Sequence, residues 1–145
     1  MKGTGTGALL AAFCAGCVAV LVFHQGMLSV LVAIGLTDRA IFPSGPTWPL
    51  GLPQIWSIAF WGGLWGIAYA LLRPRLPKGG AGHWLGAAAF GALAPTLVNW
   101  FVVAPLKSLP IAAGWQFAPM LTGVLVNAAW GVGTALFLSL ALRRT

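Results

Sequence analysis

The stretch GALLAAFCAGCVAVLVFHQGMLSVLVAIG, residues 7–35, contains no charged side chain. A helix needs about 20 apolar residues to cross a hydrocarbon core about 30 Å thick. This stretch exceeds that length, so it predicts a membrane-spanning helix. Three further stretches are similarly long and apolar, at residues 54–72, 84–104 and 117–142. The sequence therefore predicts an all-α integral membrane protein, a four-transmembrane-helix bundle in which residues 1–145 form a single transmembrane domain.

The composition agrees with a surface that faces lipid. Of the 145 residues, 59% are hydrophobic and 6% are charged, whereas soluble domains are about 25% charged. Membrane strands would alternate apolar and polar residues over about ten positions, and residues 19–36 do not alternate. Proline concentrates in the connections, where no helical hydrogen bond is lost. Pro95 is the exception, and it predicts a kink in the third helix.

The basic residues predict the orientation of the helices, because cytoplasmic loops of membrane proteins are enriched in Lys and Arg. Only Arg39 and Lys107 lie in the two long connections. The other basic residues precede the first helix, join the second helix to the third or follow the fourth, namely Lys2, Arg73, Arg75, Lys78, Arg143 and Arg144. This distribution predicts a multi-pass protein of a bacterial-type inner (plasma) membrane, with both termini cytoplasmic.

The formal net charge of +7 is interpreted as an insertion signal. The charges are too few and too scattered for a nucleic-acid surface, so no nucleic acid is predicted as a partner. The expected partner is the lipid bilayer, with anionic headgroups near Arg73, Arg75 and Lys78.

The first residues have two features of a cleaved leader. Lys2 precedes an apolar run, and CAGC at 14–17 is similar to a lipoprotein cleavage box. However, Cys14 stands where that box has an aliphatic residue, and the apolar run continues to Leu36. We therefore expect the first helix to be retained.

The connection RPRLPKGGAGH, residues 73–83, divides the chain into two helical hairpins that align with each other. Placing Gly7 on Gly82 also matches Gly16 with Gly91 and sets His24 on Asn99. In the returning helices, the pair Trp-Gly at 65–66 matches the pair at 130–131. The match indicates either two duplicated helical hairpins or chance similarity among abundant Gly, Ala and Leu residues.

Small residues four positions apart occur on every helix. Such pairs let helix backbones approach closely in lipid. The pairs are Ala12/Gly16, Gly62/Gly66, Gly82/Gly86 and Ala129/Gly133. They make Gly16, Gly62, Gly66, Gly86 and Gly133 candidate helix-packing residues, either within one bundle or between copies of the chain.

Polar side chains fall at similar heights in the outer halves of the four helices. His24, Gln25, Asn99, Ser57 and Thr122 lie about 7–9 Å outward from the helix midpoints, and Asn127 lies nearer the midplane. These six residues form a candidate polar layer. Either they hydrogen-bond to one another and hold the helices together, or they line a ligand site that opens outward.

Three tryptophans, Trp61, Trp65 and Trp130, are predicted to lie deeper in the membrane than the others, away from its interfaces. Their indole N–H groups need acceptors, such as Asn127 or a free backbone carbonyl. The remaining tryptophans suit the two membrane interfaces.

Residues for catalysis or cofactor binding are scarce. Asp38 is the only carboxylate and lies beside Arg39, so no pair of acids for acid–base catalysis can form. Cys14, Cys17 and His24 share a helical stripe, but Cys17 and His24 are about 10 Å apart along the axis. One metal ion cannot bind both. The sequence predicts no enzyme, no metal site and no cofactor.

Two functions remain. The first is a non-enzymatic accessory or structural component of a membrane assembly, acting through helix packing by self-association or with another membrane protein. The second is a small oligomeric channel or carrier whose polar layer binds a solute. The cytoplasmic half of the first helix offers no polar path beyond two thiols, which favours the first function.

Overall fold

The computed structural model describes residues 5–143, and the predictions for Lys2 and Arg144 lie outside the described residues. Within this range the fold is helical, with four helices long and apolar enough to cross a membrane. They are α1 (Thr6–Ala33), α2 (Gln54–Arg75), α3 (Gly80–Leu106) and α4 (Phe117–Leu142). The four predicted helical stretches are thereby confirmed. The third begins earlier than predicted, at Gly80, because Gly79 and Gly80 adopt positive φ angles that turn the chain directly into the helix.

Two helices change winding in the halves that lead into the connections containing Arg39 and Lys107. Helix α1 is α-helical over Thr6–Ala19, π-helical over Val20–His24 and α-helical again over Gln25–Ala33. In α3, the α-helical part Gly80–Val98 is followed by a π-helical segment, Asn99–Val103, and a last turn, Ala104–Leu106. Pro95 lies inside α3 and cannot donate to the carbonyl of Gly91. Helix α2 consists of the α-helix Gln54–Leu72 and the 3₁₀ turn Arg73–Arg75.

The long connections contain structure that the sequence analysis did not predict. Strands β1 (Pro46–Thr47) and β2 (Leu52–Pro53) form an antiparallel pair between α1 and α2. The Thr47 hydroxyl donates to the Leu52 carbonyl at 2.9 Å. Between α3 and α4 lies the segment Ile111–Trp115, in which residues 112–115 have left-handed backbone conformations. These connections lie at one end of the bundle, the Arg39 end; the opposite end, the Arg73 end, carries the connection of residues 76–79.

The helices pack in the order α2, α1, α4, α3. Helix α1 contacts α4 along its length and α2 mainly through its first part, Thr6–Ala19, and α3 packs against α4. Helices α2 and α3 approach each other mainly through aromatic side chains. The Phe90 ring lies 5.6 Å from that of Tyr69 and 6.2 Å from that of Trp65. Large rings therefore fill the side of the bundle where the backbones stand apart.

Backbone meets backbone where α1 crosses α2. A Cβ added to Gly16 would overlap the carbonyl oxygen of Gly62 and lie 3.1 Å from the Cα of Gly63. A Cβ on Gly66 would overlap the carbonyl oxygen of Ala12. Helices this close require glycine at the crossing.

The crossing of α3 and α4 repeats this arrangement. A Cβ on Gly91 would overlap the carbonyl oxygen of Asn127, and one on Gly131 would overlap that of Ala87. The alignment of the hairpins pairs Gly16 with Gly91, and it likewise pairs Ala12 with Ala87, Gly62 with Asn127 and Gly66 with Gly131. The two carbonyl contacts in the first hairpin thus have their counterparts in the second at the aligned positions.

The other candidate packing glycines have different neighbours. Gly86 faces the short connection, where an added Cβ would lie 3.4 Å from Pro77 and 3.6 Å from Leu76. Gly133 accommodates the ring of Phe23, which packs 5.7 Å from that of Phe137. The residues of α3 that contact the backbone of α4 are thus Ala87 and Gly91, and not the predicted pair Gly82 and Gly86.

Candidate functional site

The side chain of Gln25 holds the connection between α1 and α2 against α1 by a hydrogen bond. That side chain is 1% exposed, and its Oε1 accepts a hydrogen bond from the backbone N–H of Phe42 at 2.8 Å. Phe42 has a φ of 48°, an uncommon conformation for a bulky residue. The Gln25 amide therefore fixes a strained turn of the connection over the end of the bundle.

His24 lies at the end of the π-helical segment and is half-buried. The Gln25 Nε2 amide donates to its Nδ1 at 3.3 Å. A nitrogen that accepts carries no proton, so the ring proton of the neutral imidazole is on Nε2. The two adjacent polar residues therefore act as a pair that links the imidazole to the Phe42 turn.

Asn127 joins α4 to α3. Its Nδ2 donates to the hydroxyl of Thr96 at 2.8 Å, and Thr96 is 2% exposed. The sequence analysis did not select Thr96. Its position directly after Pro95, at the height of Asn127, is the signal that would have found it, since a hydroxyl deep in an apolar helix needs a partner.

The remaining members of the predicted polar layer lie apart from these pairs. The Thr122 hydroxyl is buried and donates to the carbonyl of Ala118 in its own helix at 2.8 Å. Ser57 is half-buried and Asn99 is exposed. Within residues 5–143 the structure brings His24 to Gln25 and Asn127 to Thr96, and it does not bring the six residues into one network.

Trp130 lies at the crossing of three helices. It is 2% exposed, and its indole Nε1 donates to the carbonyl of Gly16 at 3.0 Å. Of the three deep tryptophans, Trp130 thus has the backbone acceptor that was predicted. Trp61 is 59% exposed, so its side chain lies on the surface of the bundle. The hydroxyl of Thr134, which is fully buried, donates to the Trp130 carbonyl at 2.9 Å.

The hydroxyl of Tyr69 is buried without a partner among the described residues. Tyr69 is 1% exposed, and its neighbours in the core are apolar, including Ala12, Ala87 and Leu138. Leaving a buried hydroxyl without a hydrogen bond costs about 1–3 kcal/mol.

Tyr69→Phe is therefore expected to raise the free energy of unfolding by about 1 kcal/mol, because it removes the hydroxyl and keeps the ring. Reversible unfolding in mixed micelles, followed by circular dichroism, measures this change. Tyr69→Leu serves as the comparison, since it also removes the ring contact with Phe90 and should destabilise the fold. A less stable Phe variant would show that the hydroxyl has a stabilising partner.

Two cavities lie at the Arg73 end of the bundle, with volumes of about 650 and 680 Å³. Both are lined by Arg73, Gly79, His83 and Leu142. Arg143 lines the first cavity and Lys78 lines the second. The sequence analysis placed these basic residues on one side of the membrane but gave no indication of a concave surface between them.

Cys14 and Cys17 are free thiols, the first exposed and the second half-buried. The sulfur of Cys17 packs beside Gly63 at the crossing of α1 and α2.

No family model, curated protein or solved structure matches the chain.

Proposed function

We propose that this protein is a non-enzymatic, multi-pass component of a bacterial-type inner-membrane assembly, which binds a second membrane protein or a copy of itself through α3. Both termini and the Arg73 end are placed in the cytoplasm, as the distribution of Lys and Arg predicts. The observation that carries the proposal is the exposed amide of Asn99.

The helices expose apolar side chains where a soluble protein would expose charged ones. On α3 alone, the residues Leu85, Leu93 and Leu97 are 68%, 58% and 44% exposed. Surfaces of this kind are stable in hydrocarbon, which supports a bilayer as the medium.

Asn99 interrupts this apolar surface. It lies in the π-helical segment Asn99–Val103, next to Val98 and near Phe101 and Val102, which are 37%, 48% and 50% exposed. Its side-chain amide forms no hydrogen bond within residues 5–143. An amide without a partner in hydrocarbon costs several kcal/mol (about 2–7), and a polar group on a neighbouring helix would remove that cost.

A carrier function is supported less well, because the buried members of the predicted polar layer already have protein partners. Gln25 binds Phe42 and His24, Asn127 binds Thr96, and Thr122 binds its own helix. A solute would have to displace these bonds to bind in the outer half of the bundle. We therefore assign the pairs a structural role.

The matched glycine contacts support an origin by parallel duplication of one hairpin. A similar composition alone would not place both Gly16 and Gly91 against the aligned carbonyl oxygen of the returning helix. An axis along the membrane normal then relates the two hairpins. The duplication leaves His24 inside the bundle and its counterpart Asn99 outside, so the second hairpin offers a polar contact that the first does not.

The proposal is tested by photo-crosslinking in the native membrane. A benzophenone amino acid replaces Phe101, an exposed residue of the same segment as Asn99, and Leu85 at the other end of α3 is the control site. We expect a protein crosslink from position 101 that is lost in the Asn99→Leu background, and none from position 85. The mass of the product distinguishes a second copy from a different membrane protein. Crosslinks to lipid alone at position 101, or products unaffected by Asn99→Leu, would contradict the proposal.

A further inference from the structure

The two cavities at the Arg73 end are open clefts with volumes of about 650 and 680 Å³. They lie where α2 ends, α3 begins and α4 ends, and they share Arg73 and His83. The first cavity joins these groups to the apolar side chains of Leu136 and Leu140. Its lining therefore changes from basic to apolar.

Arg73 is half-buried between the cavities and has a single side-chain partner within the described residues. Its Nη2 donates to the hydroxyl of Ser139 at 3.5 Å, the outer limit of a hydrogen bond. A guanidinium has five N–H donors, so most of its donor capacity is not used by that contact. A neutral hydroxyl also leaves its charge without compensation.

Carboxylate side chains are missing from this end of the protein. Asp38, the only acidic residue of the chain, lies in the connection between α1 and α2 at the Arg39 end. Arg73, Lys78 and Arg143 therefore gather around the cavities with no acidic side chain to pair with them. An anion from outside the chain would supply the negative charge that no acidic side chain supplies there.

The start of α3 adds to this positive potential. The helix begins at Gly80 with no side-chain cap at Gly79, and both glycines line the first cavity. Free N–H groups and the helix dipole favour an anion at such a position. His83, in the first turn of the helix, lines both cavities and packs its ring 5.0 Å from that of Trp84.

We infer that the cavities at the Arg73 end bind a phosphate group, with Arg73 as the central ligand and Lys78, His83 and Arg143 around it. Guanidinium groups match the geometry of phosphate oxygens. The phosphate belongs either to the headgroup of an anionic lipid, whose chains would lie against Leu136 and Leu140, or to a soluble anion that enters from the aqueous side.

Native mass spectrometry of the full chain in a nonionic detergent tests this inference. Dioleoylphosphatidylglycerol and dioleoylphosphatidylcholine are titrated in parallel, because the choline cation of the second lipid offsets the charge of its phosphate and leaves its headgroup neutral overall. We expect the anionic lipid to bind about tenfold more tightly, the change that corresponds to one strong contact. Competition with millimolar inorganic phosphate identifies the source. Displacement of the lipid assigns the site to phosphate in either form, whereas retention of the lipid assigns it to the headgroup.

Matched charge variants locate the site. Arg73→Gln and Arg39→Gln remove the same charge from opposite ends of the bundle, so only Arg73→Gln should abolish the preference for the anionic lipid. Lys78→Gln removes the charge of an exposed side chain, so its effect on the preference for the anionic lipid does not depend on the packing of Arg73. Equal binding of the two lipids by the unmodified chain, or equal losses in Arg39→Gln and Arg73→Gln, would overturn the inference.

Discussion

Gly16→Leu is expected to lower the free energy of unfolding by more than about 3 kcal/mol, or to prevent the bundle from forming, because overpacking at a rigid contact cannot be relieved by side-chain movement. Even the first added carbon would lie 2.9 Å from the carbonyl carbon of Gly62 and 3.1 Å from the Cα of Gly63. Both neighbours are backbone atoms. The two helices would have to separate, and the Trp130 hydrogen bond to Gly16 would be strained with them.

Gly26→Leu is the matched control for this change. Gly26 lies on the same helix and is exposed, and a Cβ added there would meet nothing within 4 Å. Folded yield and unfolding in mixed micelles, followed by circular dichroism, should separate the two variants. Comparable stabilities would show that α1 and α2 do not approach each other as closely as the structure indicates.

Gly91→Leu extends the same experiment to the second hairpin. An added Cβ would lie 3.0 Å from the Cα of Gly131 and 3.1 Å from the carbonyl carbon of Asn127. If the hairpins are equivalent by duplication, the losses of stability at Gly16 and Gly91 should be similar. Tolerance at Gly91 would contradict the equivalence of the two crossings.

Trp130→Ala is expected to lower the free energy of unfolding by about 3–5 kcal/mol, as for other buried aromatic residues. The side chain is 2% exposed, donates to Gly16 at 3.0 Å and lies 6.4 Å from the Phe90 ring. Its removal would leave a cavity where α1, α2 and α4 meet. Trp130→Phe is the intermediate variant, since it keeps an aromatic ring in the core but loses the hydrogen bond and part of the indole packing.

Trp61→Ala provides the control for this prediction. Trp61 belongs to α2 and is 59% exposed, so its truncation leaves the core intact and should change stability by less than about 1 kcal/mol. The same mixed-micelle titration measures both variants. A loss at Trp61 as large as that at Trp130 would indicate that the exposed tryptophan is buried in an assembly retained in the micelle.

Length and hydropathy in the sequence determined the four helices, since a long uncharged apolar stretch has few alternatives to a membrane-spanning helix. The same local information marked Gly16, Gly62 and Gly66 as residues that allow close packing. The winding changes at Val20–His24 and Asn99–Val103 and the short strand pair have no comparable local signal.

The neighbours of each helix were decided only by the tertiary structure. These helices are apolar on nearly every side, so periodicity does not reveal which face is buried. Nothing local to α3 distinguishes Gly86, beside the short connection, from Gly91, against the backbone of α4. Nor does height along a helix distinguish Gln25, buried against Phe42, from Asn99, exposed on the outer surface. Depth follows from position in the sequence, whereas rotation about the helix axis follows from packing against the other helices.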